Sequence, residues 1–288
     1  MPSALSVTGR AFTFALVTLA AAGLALAARK PLAGRAPRPW WPRPVTLLEW
    51  LIPLALLNAL FAAFVVVQLA VLFGGRDHVL QTAGLTYADY ARQGFWQLLV
   101  AAGLTLVVVA AASFVVRPRG RGESLLLRMG IVLLAALTLV VLASALRRLW
   151  LYEEAFGLTR ARVTAEAILL WIGVLLLLAV AALLLPRIRA HVAGTAVAVT
   201  AVGLLGFSVA NPDARIARGA VERQAEGLPI DVAYLSGLSA DAAPVLARLP
   251  RPLAEEALAG SRGRLARDDG WSAWNLSRAR ARDALRSR

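Results

Sequence analysis

Sixteen residues from Arg147 to Arg162, RRLWLYEEAFGLTRAR, gather four arginines, two carboxylates and a tyrosine between two long apolar runs. Arginines this dense beside apolar helices suit anion binding, because a guanidinium meets phosphate, carboxylate or a lipid headgroup bidentately. The same side chains can instead pair with acids to hold helix ends, the more ordinary use of interfacial charge. Catalysis has less to work with. Glu153 and Glu154 are neighbours on a helix and diverge by about 100°, so they do not form a catalytic carboxylate pair by themselves. The two histidines, His78 and His191, fall on opposite membrane faces by helix count, which leaves no two-histidine metal site within one chain. Cysteine is absent, which excludes thiolate chemistry, disulfides and Cys-type zinc sites. GRGES is too short for a phosphate loop and GLSAD lacks nucleophile-elbow spacing. No catalytic residue, cofactor or metal is expected.

Composition places these residues in a membrane protein. With 59% hydrophobic residues, mean hydropathy +0.67 and repeated uncharged runs near the ~20 residues that a bilayer core requires, the chain reads as an all-α polytopic membrane helix bundle. Six transmembrane helices are expected over about residues 11–28, 47–73, 95–116, 125–150, 163–185 and 192–210, in a domain 1–212. A small helical tail follows over 213–288. The formal charge of +14 does not imply nucleic acid: residues 1–212 hold 18 basic and 7 acidic side chains, so the excess lies mainly in membrane loops, where it orients helices and meets lipid.

The order of elements explains how the charged residues meet. The run Ala11–Ala28 is long for a signal-peptide core and is preceded by little charge, so it is expected to be a retained span. A Pro/Arg loop with Trp40 and Trp41 follows and lies on the membrane surface. Asn58 and Gln68 sit inside the second span and should hydrogen-bond to a neighbouring helix. In TYADYARQGFWQLL, Thr86 and Asp89 resemble a capping box, so a helix should start at Tyr87 and enter the third span. The fourth span, if helical from Leu125 to Phe156, measures about 48 Å at ~1.5 Å per residue. Gly157 should end it in the left-handed conformation, with Leu158 packing back on its last turn and Thr159 capping the next helix. Glu166, an intramembrane carboxylate, is spaced to pair with Arg162 one turn earlier. The sixth span is rich in Ala, Gly and Thr, which admit close approach, so it should be central to the bundle.

Helix count then brings one set of polar residues to a single membrane face: Tyr87, Asp89, Tyr90 and Arg92 from the third span, Arg147, Arg148, Tyr152, Glu153, Glu154, Arg160 and Arg162 around the turn, and Asn211 and Asp213 after the sixth span. One arginine precedes the first span and five basic residues follow it, which favours a translocated N-terminus and a tail outside the cytoplasm. In the tail, DARIARGAVERQAEG, SADAAPVLARL and PLAEEALAGSRGRLA have helical spacing, with stops at Gly227, Pro250 and Asp268-Asp269-Gly270. The last segment, with Trp271, Trp274 and Leu276 before a basic run, suits either an amphipathic helix on lipid or a helix packed on its neighbours through the tryptophans.

TYADYARQGFWQLL, LYEEAFGLTRARV, NPDARIAR and DVAYLSGLSADAAPVLARL together resemble an uncharacterised family of bacterial multi-pass membrane proteins, the domain-of-unknown-function family 4173, with the related family 4153 as the near alternative. The resemblance covers roughly Leu47 to the C-terminus. It implies an integral membrane protein of the cell membrane and carries no catalytic residues. The expected role is a non-enzymatic sensor, scaffold or accessory subunit whose partners are the lipid bilayer and a membrane protein or a second copy. The alternative is a permease or lipid-handling protein whose Arg-rich interfacial pocket takes an anionic lipid or an anionic small molecule.

Overall fold

The fold is described from a computed structural model, in which residues 47–73, 95–115, 120–189, 191–265 and 276–286 are described. All secondary structure among these residues is helical. By proximity the chain divides into two compact units, one formed by Met1–Leu146 with Leu169–Gly203 and the other by Arg147–Ile168 with Leu204–Arg288.

The first unit holds long apolar helices: α1 (Leu47–Phe73), α2 (Phe95–Val115), the greater part of α3 (Arg121–Phe156) and of α4 (Arg160–Leu184), the short α5 (Pro186–Arg189) and most of α6 (Val192–Val209). Among the described residues, four helices are long and apolar enough to cross a membrane: Glu49–Gln68 within α1, and α3, α4 and α6; α2 contains a shorter apolar stretch, Gln97–Ala110. The expected first span, the Pro/Arg loop and the capping box at Thr86 lie outside the described residues. α3 begins four residues before Leu125, and its 36 residues make about 54 Å of helix, well beyond a hydrocarbon core.

Most polar side chains within these helices bond to acceptors in the helices themselves, as expected where water is scarce, although Asn58 Oδ1 is buried without a hydrogen-bond partner among the described residues. Asn58 donates to Leu54 O at 2.8 Å and across to Gly130 O at 3.1 Å. Gly130 makes that approach feasible, because a Cβ there would lie 2.7 Å from Leu54 Cδ2. Ser144 Oγ donates to Gln68 Oε1 at 3.5 Å, and the hydroxyls of Thr105 and Thr138 return to carbonyls four residues back. Outward positions such as Leu56, Leu60, Val66, Val107 and Leu177 are apolar and more than half exposed. That is the surface expected of helices in contact with lipid.

α6 does not occupy the centre that its small residues suggest. Thr200 is its one buried residue, held by a 3.0 Å hydrogen bond from Trp171 Nε1, with Trp171 Cδ1 also 4.0 Å from where a Cβ on Gly203 would stand. Small side chains permit close approach but offer little area to bury, so composition alone does not draw a helix inward.

The second unit is built on a different plan. The unit takes in the end of α3, and the turn at Gly157 and the start of α4 share a core, through Leu158 and Val163, with the tail helices: α7 (Pro212–Ala225), α8 (Val232–Ser236), a 3₁₀ turn (Ala240–Ala242), α9 (Ala243–Leu246), α10 (Arg251–Leu265) and α11 (Leu276–Arg286). Ile216, Leu238, Leu246, Leu249 and Leu258 are fully buried with Val163 and a set of alanines. Local signals set the boundaries. Asn211 caps α7 with its side chain and Pro212 opens it. Gly227 follows its end at φ 74. α8, which has no counterpart in the sequence reading, starts at Asp231, whose carboxylate accepts from Tyr234 N at 2.9 Å. Pro250 and Pro252 bracket the start of α10. α11 packs on the tail core through Ala281 and Leu285; Trp271 and Trp274, through which packing was the alternative to a lipid-surface helix, and the expected stop at Asp268-Asp269-Gly270 lie outside the described residues.

Candidate functional site

The turn between α3 and α4 forms as its residues dictate. Gly157 takes φ 77 and its N–H bonds Glu153 O at 2.7 Å. Thr159 Oγ1 accepts from Arg162 N at 3.4 Å, capping α4. Leu158, however, turns to the tail core rather than to the last turn of α3: its Cδ1 would meet a Cβ on Gly219 of α7 at 3.0 Å. Glycine in α7 makes room for that leucine.

Around the turn, four arginines bond to internal acceptors, two to carboxylates and two to backbone carbonyls. Arg160 grips Asp213 with two parallel bonds, Nε to Oδ1 at 2.7 Å and Nη2 to Oδ2 at 2.5 Å, and Nη2 also reaches Gly237 O at 3.2 Å. The backbone N–H of Arg160 donates to Tyr234 Oη at 2.7 Å, and that of Ser239 donates to Asp213 Oδ2 at 2.7 Å. Asp213 is thus a hub joining α4, α7 and the loop after α8. Burial would raise its pKa, but hydrogen bonds from Arg160 and Ser239 and the Arg160 charge outweigh burial and hold it below the ordinary 3.8.

A second junction forms at Glu166. The expected Arg162 to Glu166 pair is absent. Instead Glu166 Oε2 accepts from Arg215 Nη1 at 2.8 Å and Oε1 from Trp150 Nε1 at 3.1 Å. Arg162 donates to Gly157 O and lies 4.2 Å from the centre of the Tyr152 ring, which also contacts Phe156. For Arg162, a carbonyl at a helix C-terminus together with an aromatic face replaces the i,i+4 carboxylate, and Glu166, only 12% exposed, is paired by Arg215 instead. A third junction is made by Arg223, which caps the end of α3 by donating to Glu154 O at 2.7 Å and Ala155 O at 3.1 Å.

Of the polar face expected from sequence, the structure joins Arg160 with Asp213 and Tyr152 with Arg162, and sets Asn211 as a helix cap. Arg147 and Glu154 have exposed side chains, Arg148 is half-buried, and Glu153 Oε1 is buried without a hydrogen-bond partner among the described residues. Tyr87, Asp89, Tyr90 and Arg92 lie outside the described residues. The residues missed by sequence reasoning are Arg215, Arg223, Tyr234 and Ser239. Arg215 and Arg223 stand eight residues apart on a helix whose other face is apolar, so both could have been placed on one stripe; nothing local marks their acceptors. Beside the Arg160–Asp213 pair the surface forms a depression of about 600 Å³, bordered by Thr164, Ser208, Asn211 and Asp241.

This arrangement is a clasp. Its carboxylates are held by arginines, and among the described residues no group of three His, Asp or Glu side chains is placed to hold a metal. No curated protein and no solved structure matches the chain. A family model does: the one described as Domain of unknown function (DUF4153) matches residues 2–249, reaching further towards the N-terminus than the resemblance read from the motifs and stopping before α10. It is the family given above as the near alternative, and not the 4173 family placed first. With most of its length matched, the chain belongs to the DUF4153 family.

Proposed function

We propose that this protein is a multi-pass integral membrane protein of the cell membrane, with six spans and its helical tail outside the cytoplasm. In this reading it works without catalysis, as a sensor, scaffold or accessory subunit for a membrane-protein partner or a second copy of itself. The apolar length of α1, α3, α4 and α6 supports the membrane reading. The observation that carries the scaffold reading over an Arg-rich anion pocket is the commitment of Arg160, Arg162, Arg215 and Arg223 to internal acceptors. A guanidinium bonded to an internal acceptor holds a shape first, and four of them so committed do not make an open cluster for a bare anion. That shape is a folded tail seated on the turn between two apolar helices, a rigid surface on which another protein can dock.

The two readings separate on paired measurements of Arg160→Ala and Arg223→Ala. The scaffold reading expects lower thermal stability, by about 1–3 kcal/mol each for loss of charge-assisted bonds that are partly solvent-screened. It also expects unchanged retention of phosphatidylglycerol by the detergent-solubilised protein. Wild-type stability with a tenfold loss of that lipid would instead establish the anion pocket.

A further inference from the structure

The depression beside the clasp has a charge pattern that the clasp does not use. Arg160 neutralises Asp213 and spends Nε and Nη2 there, while its Nη1 carries no hydrogen bond among the described residues. Its side chain is half exposed. Asp241, also on the wall, forms no ion pair among the described residues; its Oδ2 accepts only from Ser239 Oγ at 3.3 Å. The depression therefore carries one net negative charge at Asp241 and a guanidinium edge at Arg160. Its border includes the end of α6, where Phe207 and Val209 are apolar and Val209 is 84% exposed. A simple anion would be repelled by Asp241, and a simple cation would leave Nη1 of Arg160 unused.

A ligand that satisfies both carries an ammonium and a phosphate close together, with an apolar extension for the α6 lip. The ammonium is primary: three N–H donors match a carboxylate and the neighbouring Ser239 hydroxyl. A quaternary ammonium needs an aromatic cage, and Phe207 is the one aromatic lining the depression among the described residues. The geometry points to a binding site for the phosphoethanolamine group, with its ammonium on Asp241 and its phosphate on the Nη1 edge of Arg160. α6 ends at Val209, so in the proposed membrane reading the depression lies at headgroup depth. A phosphatidylethanolamine lipid is then the natural source, and a soluble glycerophosphoethanolamine offers the same chemistry from water. Assignment to lipid rests on that membrane reading; the chemistry of the site does not.

The test uses the full chain in detergent and follows its thermal unfolding with added phosphatidylethanolamine, phosphatidylcholine, phosphatidylglycerol or glycerophosphoethanolamine. Phosphatidylethanolamine is expected to stabilise most, and Asp241→Asn to weaken its apparent affinity at least about tenfold, the scale of one charged hydrogen bond, with lipid-free stability unchanged. Thr164→Trp, which fills the depression and leaves the acid in place, should have the same effect, and Asp241→Glu should restore part of the binding. Stabilisation by the lipid alone assigns a membrane source, and an equal effect of glycerophosphoethanolamine assigns a soluble one; either supports the site. Equal stabilisation by phosphatidylcholine, or phosphatidylethanolamine binding that survives both Asp241→Asn and Thr164→Trp, overturns it. A failed lipid test leaves the membrane reading standing, because topology is measured separately.

Discussion

Asp213 receives bonds from two directions, from the guanidinium of Arg160 and from Ser239 N. Its side chain is 12% exposed against 50% for Arg160, so losing either partner is unequal: an unpaired Arg160 can rehydrate, whereas an unpaired Asp213 is left largely desolvated. Arg160→Ala should therefore destabilise more than Asp213→Ala. The double variant should be no worse than the worse single, giving a coupling of about 1–3 kcal/mol in a double-mutant cycle read by thermal unfolding. Strict additivity would mean that the pair contributes nothing. The carboxyl also sets a pH dependence. Its pKa is lowered on folding from 3.8, so the stabilisation is complete above that value and is lost as pH falls below it towards the depressed folded value. Wild type should therefore lose stability relative to neutral pH as pH falls below 3.8, and Asp213→Asn, less stable at neutral pH, should lack that part of the loss; an equal loss on acidification in both proteins would contradict the assignment. Sequence indicated that Arg160 and Asp213 share a face, because both flank apolar runs. It misassigned Glu166, because i,i+4 spacing says which residues can meet, and not which of several acceptors an arginine prefers.

The backbone of the turn at Gly157 and the Thr159 cap were readable, since a left-handed C′ position is one that few residues other than glycine satisfy, but the destination of Leu158 was not. Its left-handed φ of 77 and the 3.3 Å approach of Arg223 to a Cβ placed there make Gly157→Ala doubly unfavourable. The strain is about 1–2 kcal/mol, with further loss as Arg223 is pushed from the α3 carbonyls. Gly194→Ala, at a helical glycine with nothing within 4 Å, should by contrast be neutral or stabilise by up to about 1 kcal/mol. Thermal unfolding of the two variants checks both, and equal effects would mean that φ and the Arg223 contact are unimportant. The tail helices from Pro212 and from Arg251 were legible from caps and prolines. α8 was not, because five residues are too few for periodicity, and its cap at Asp231 is the one local mark. α6 was misplaced for the opposite reason: its composition describes how closely a neighbour can approach and not whether one does.

The division of the chain could not be read from hydropathy, which separates apolar residues 1–212 from the tail. Contacts instead join residues 147–168 to 204–288, because Arg160, Glu166 and the α3 carbonyls are bonded to α7 and the loop after α8. Such pairings over fifty to seventy residues leave no periodic trace. They constrain the proposed membrane reading: if the turn and tail are one folded body and α4 and α6 both cross, turn and tail must emerge on the same side of the membrane. The absence of native cysteine makes this measurable with single substitutions at exposed positions in intact cells, Glu154→Cys beside the turn, Arg248→Cys in the tail and Arg187→Cys between α4 and α6. We expect Glu154→Cys and Arg248→Cys to be labelled together from outside by a membrane-impermeant maleimide, and Arg187→Cys to be protected until the membrane is opened. Labelling of Arg187→Cys alone would reverse the orientation but preserve the clasp, whereas opposite labelling of Glu154→Cys and Arg248→Cys would contradict it.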